Sequence, residues 1–111
     1  MRQDSERLRD ILEAITRIEQ YAVQGKENFD QDQLIQVWIA YHLQMIGEAA
    51  RATSEDLKLR FPNVPWAQVI GLRNVLVHEY FRVNVEIVWA VVEEDLPNLK
   101  QQVELILQDI E

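Results

Sequence analysis

The 111-residue chain has no cysteine and only three glycines, three prolines and two histidines. The missing cysteine removes disulfides, thiolate nucleophiles and cysteine-ligated metal sites together. Scarce glycine and proline, with abundant Leu, Ile, Val, Glu and Gln, favour helix. No apolar run approaches the ~18 residues that would suggest a membrane span. The opening residues are charged (Arg2, Asp4, Glu6, Arg7, Arg9) and hold no apolar signal segment, so a cytoplasmic protein is expected. Gly25, Gly47 and Gly71 stand alone, which argues against a phosphate-cradling loop and against autonomous use of ATP. His42 and His78 belong to no Glu-x-x-His motif, which argues against a dimetal carboxylate bundle, and no metal or cofactor is expected. Positive charge is also short: 11 Lys and Arg against 19 Asp and Glu leave a net charge of −8. Broad nucleic-acid binding relies on a basic surface. Chemistry on a nucleic acid would therefore need locally clustered arginines or a partner's positive charge.

What is present is helical periodicity on the scale of one domain, residues 1–111. Leu8, Ile11, Leu12, Ile15, Ile18 and Ala22 recur at three- and four-residue intervals. They predict a helix from about Ser5 to Gln24, stopped by Gly25. Asp30 is the expected N-cap of a second helix reaching about Ala52. That helix is apolar on two sides, with Leu34, Trp38, Tyr41 and Met45 in one row and Ile35, Ile39 and Ile46 in another. Such a helix is central or faces a second subunit. Ser54 caps a short turn before Pro62, and Pro65 opens a third helix from about Trp66 to His78. Asn84 caps a fourth, ending at Glu93 or Glu94. Asp95 and Pro97 start a last helix carrying Leu99, Val103, Ile106 and Ile110. The fold class is all-α, an antiparallel bundle of four to five helices.

One stretch carries chemistry. Gly71-Leu72-Arg73-Asn74-Val75-Leu76-Val77-His78-Glu79-Tyr80 sets an arginine, a histidine and a tyrosine at fixed offsets. Arg73 is a permanent cation with a planar fork of donors, suited to a phosphate. His78 has the side chain that titrates nearest neutrality and can give or take a proton. Tyr80 adds a hydroxyl. A lone Arg and His on a helix are ordinarily surface or capping residues. On a continuous helix, Asn74 and His78 lie together while Arg73 and His78 are about 140° apart. Ile70 and Val77 share the polar sector, which predicts a covered face there. A two-fold homodimer through the third helix would then bring two arginines and two histidines into one groove. His42 is expected to be a buried or interface residue of its helix.

The run Pro65-Trp66-x3-Ile70-Gly71-x-Arg73-Asn74-x-Leu76-x-His78-x-Tyr80 resembles the HepT-like branch of the HEPN superfamily. Ile46-Gly47-Glu48-Ala49-Ala50 resembles that family's second-helix segment. Ile87-Val88-Trp89 and Asp95-Leu96-Pro97-Asn98-Leu99 resemble its C-terminal helices. The resemblance runs from about Leu34 to the C-terminus. It implies an all-helical homodimer acting as a metal-independent RNA endonuclease, the toxin of a type VII-like toxin–antitoxin pair. Arg73 and His78 would be catalytic, with Asn74, Tyr80 and Glu48 in support and Glu48 a candidate to hold Arg73 in place. The partner would be an MntA-like nucleotidyltransferase antitoxin that attaches AMP to Tyr80. The RNA could be single-stranded RNA, transfer RNA or messenger RNA, with no membrane involved. The alternative keeps the fold without the chemistry: a non-catalytic, substrate-binding partner of a minimal nucleotidyltransferase.

Overall fold

A computed structural model describes residues 2–74, 76–77 and 82–111, with side chains excepted at 2, 76–77 and 82–83. The chain is all-α, apart from one two-residue ladder. The elements are α1 (Arg2–Ala22), α2 (Lys26–Gln31), α3 (Gln33–Ala52), α4 (Glu55–Arg60) and α5 (Trp66–Gly71). A 3₁₀ turn, Leu72–Asn74, follows α5. Strands β1 (Leu76–Val77) and β2 (Arg82–Val83) pair antiparallel, Leu76 opposite Val83 and Val77 opposite Arg82. Helix α6 (Val85–Ala90), a π turn (Val91–Asp95) and α7 (Leu96–Ile110) complete the chain. Among the described residues, no helix is long and apolar enough to cross a membrane.

Burial follows the predicted stripes. Leu8, Ile11, Ile15 and Ile18 of α1 meet Ile35, Ile39, Leu43 and Ile46 of α3, while Leu99, Val103 and Ile106 of α7 close one continuous core. Near-complete burial of a Leu or Ile side chain is worth about 1.5–3 kcal/mol, so this seam dominates stability. Gly25, just before α2, has φ at 98°, a left-handed conformation that other residues rarely adopt. Ser54 caps α4 by accepting from the Leu57 N–H at 3.2 Å. Ser54 is itself held by buried Asp4, whose carboxylate accepts its N–H at 2.9 Å and its hydroxyl at 2.6 Å.

Two helix starts differ from expectation in how they are capped. The cap of α3 is Asp32, not Asp30: its carboxylate accepts from the Leu34 and Ile35 amides at 3.0 and 3.3 Å. Asp30 lies inside α2, where it pairs with Lys26 at 2.8 Å. Asp95 stands where expected, at the start of the last helix with Pro97 in its first turn, but the chain enters that helix without a break. Asp95 keeps helical angles without a capping bond, and the Leu96 N–H donates to Val91, five residues back. Pro97 has no N–H and cannot take an ordinary i−4 bond. The widened turn just before it absorbs that mismatch and lets the chain run on.

The largest departure is in the third helix. Helix α5 stops at Gly71 rather than reaching His78, and Leu76–Val77 is extended. Gly71 is a poor helix former, and Val75, Val77 and Val83 favour strand. The helical wheel around Arg73 therefore does not apply. Ile70, expected on an intermolecular face, is partly buried against the chain's own core.

Candidate active site

The site forms where the 3₁₀ turn lies across α3. Close approach is possible because α3 carries glycine at 47. A Cβ there would stand 2.7 Å from the Arg73 nitrogen, 2.9 Å from its Cγ and 3.0 Å from the Ile70 carbonyl oxygen. Two of those three atoms are backbone, so little can yield. Gly47 costs α3 about 1 kcal/mol of helix propensity relative to alanine, and the hollow it leaves seats the turn. One helical turn earlier, Gln44 Nε2 donates to the Arg73 carbonyl at 3.1 Å.

Gln44, Glu48, Arg73 and Asn74 line a cleft of about 300 Å³. Glu48 Oε1 meets the Arg73 guanidinium at Nε, 3.4 Å away, with the two side chains 58% and 34% exposed. Exposed pairs of this kind contribute about 0–1 kcal/mol. The pair therefore orients the fork more than it anchors it. Among the described residues nothing else engages the guanidinium, which leaves the Nη edge able to take a phosphate's oxygens in pairs. Asn74, beside it in the same turn, is exposed.

Three of the expected site residues, Arg73, Asn74 and Glu48, thus come together. His78 and Tyr80 lie outside the described residues. His42 is buried as expected, its Nδ1 2.7 Å from the Trp38 carbonyl oxygen and its ring 4.4 Å from the Trp38 ring. Sequence reasoning missed Gln44 and assigned Gly47 no role. The usable signal was Gly47 itself, because a glycine inside a helix often marks a close approach.

A second groove, of about 640 Å³, runs between α1 and α3 and shares Gln44 and Glu48 with the cleft. Arg7 and Arg17 border it. Arg7 pairs with Asp10 at 3.9 Å and Arg17 with Glu13 at 3.3 Å. Both of these arginines, like Arg73, have a carboxylate beside them.

A family model described as Ribonuclease HepT-like matches residues 11–106. The chain is 37% identical over 100 residues to the protein named "Putative RNase MJ1380" of Methanocaldococcus jannaschii, covering 89% of this chain and 92% of that one. It is 38% identical over 98 residues to "Probable ribonuclease HepT" of Thermococcus cleftensis, covering 87% and 89%. No solved structure matches the chain.

Proposed function

Since the chain belongs to the HepT-like ribonuclease family, we propose that it is a metal-independent RNA endonuclease. In this reading it acts as a toxin silenced by a nucleotidyltransferase that adds AMP to Tyr80. The carrying observation is the cleft. An arginine whose main chain is clamped to α3 offers a guanidinium edge beside Asn74, five residues before His78 in sequence. RNA brings its own nucleophile, the 2′-hydroxyl, so cleavage needs only proton transfer and charge stabilisation. His78 of one subunit accepts the 2′-hydroxyl proton while its symmetry mate protonates the departing 5′-oxygen. Arg73 stabilises charge growing on the phosphoryl oxygens, and Asn74 orients the phosphate or the imidazole. The products are a 2′,3′-cyclic phosphate and a 5′-hydroxyl. Single-stranded, transfer or messenger RNA fits this chemistry. Incubation with end-labelled RNA in EDTA tests it: cleavage should persist and leave a cyclic phosphate, and a strict need for divalent metal would remove the mechanism.

The site is composite in this reading, so the active species is a homodimer. Its seam is the outward row of α3 rather than the Ile70 face. Leu34, Val37, Tyr41 and Met45 are 82%, 43%, 54% and 43% exposed. They follow helical spacing along one side of α3 and run towards Glu48 and the cleft. Tyr41→Asp with Met45→Asp should convert a dimer to a monomer by light scattering at micromolar concentration and lower cleavage in parallel. A monomeric wild-type protein that cleaves at full rate would exclude the composite site. The net charge of −8 favours the second reading, a non-catalytic partner of a small nucleotidyltransferase; failure of the wild-type protein to cleave any RNA would select it.

A further inference from the structure

The geometry points to Gln44 as a positioning residue that sets where the Arg73 guanidinium stands, acting through the main chain of the 3₁₀ turn; its role in cleavage rests on the ribonuclease reading above. A three-residue 3₁₀ turn has little stability of its own, so its place is decided by what it lies on. Here it lies between two features of one α3 face. Gln44 donates to the Arg73 carbonyl across 29 positions of sequence. Gly47, three residues further on, supplies the hollow into which the Arg73 nitrogen fits. Only the NH₂ end of the amide can meet a carbonyl oxygen, which fixes the orientation of the Gln44 side chain.

The division of labour follows from burial. The Gln44 bond is partly buried, whereas the Glu48–Arg73 pair is open to solvent. Gln44 therefore fixes the backbone, and Glu48 turns the fork on a base already placed. Without the amide donor the turn keeps the Gly47 hollow but loses its lateral restraint. A misplacement of ~1 Å at a reacting group can cost on the order of 10²-fold in rate. Because Arg73 acts on developing charge, the loss should fall on kcat and leave KM nearly unchanged.

Gln44→Met keeps the length of the side chain and removes the donor. The measurement is the ¹⁵N resonance of the Arg73 Nε–H, with steady-state RNA cleavage and melting temperature beside it. In Gln44→Met that resonance should move towards the position of an unrestrained arginine, and kcat should fall about 10- to 100-fold. KM and melting temperature should stay close to wild type. In an Arg73→Lys background, Gln44→Met should add almost no further loss, because the guanidinium it positions is gone. An unchanged Arg73 Nε–H signal overturns the assignment, and so does a loss that adds in full to Arg73→Lys. Wild-type protein that leaves RNA intact would remove the ribonuclease reading alone, since the resonance still decides what Gln44 does.

Discussion

Arg73→Ala and His78→Ala should each abolish detectable RNA cleavage, together with the growth inhibition that depends on it. Removing one preorganised donor to a developing oxyanion costs about 10²–10³-fold in kcat, and removing a general acid or base about 10²–10⁴-fold. For Arg73 the loss should come without unfolding. Its side chain is one-third exposed, its ion pair with Glu48 is solvent-screened, and the Gln44 bond and the nearest approach to Gly47 are made by main-chain atoms of residue 73. Circular dichroism of Arg73→Ala should therefore match wild type while the rate collapses. Arg73→Lys keeps the charge but not the fork, and should recover only part of the loss. His78→Ala with full activity would eliminate proton transfer by that residue and shift weight to the non-catalytic reading.

The second large effect is on modification. Co-expression with the cognate nucleotidyltransferase and ATP should place AMP on a peptide containing Tyr80 and suppress cleavage. In that step the phenolic oxygen attacks the α-phosphorus of ATP, its proton passes to solvent, and pyrophosphate leaves. Such a product would carry bulk and a negative phosphate two residues beyond His78 in sequence, and is expected to block RNA and compete for Arg73. Tyr80→Phe keeps the ring and removes the acceptor oxygen, so labelling should vanish while the variant remains toxic and escapes its antitoxin. Undiminished labelling of Tyr80→Phe would place the acceptor elsewhere, with Tyr21 and Tyr41 the tyrosines to examine. Both are more than one-third exposed. Protection by the antitoxin without any covalent adduct would point instead to a tight complex that covers the site.

The all-α class, the core stripes of α1, α3 and α7, and the caps at Ser54 and Asn84 were legible from spacing and residue type alone. Those features are set by local preference and by periodic burial, both of which a linear sequence carries. The motif of Arg73, His78 and Tyr80 and the segment around Glu48 were legible as candidates; the structure brings Arg73, Asn74 and Glu48 together, while His78 and Tyr80 lie outside the described residues. What spacing could not give was the path of the chain from Gly71 onward. Helical periodicity continues through Arg73 in the sequence, but Leu76 and Val77 pair with Val83 and Arg82 across a short ladder, which is a non-local choice. The Asp30-to-Asp32 shift of the cap has the same origin on a smaller scale: two acids two residues apart compete, and packing of Phe29 into the core places α2 ahead of the cap.

The sequence by itself determined the helical class, the apolar faces, and the identity of the arginine, histidine and tyrosine on which the proposed chemistry depends. Only the tertiary structure decided that Arg73 is held by Gln44 and Gly47, on a helix nearly 30 positions away. The physical reason is that a motif specifies which groups are available, whereas their placement depends on two backbones meeting. That meeting turns on one absent Cβ and one amide hydrogen bond, neither of which leaves a periodic trace in the chain.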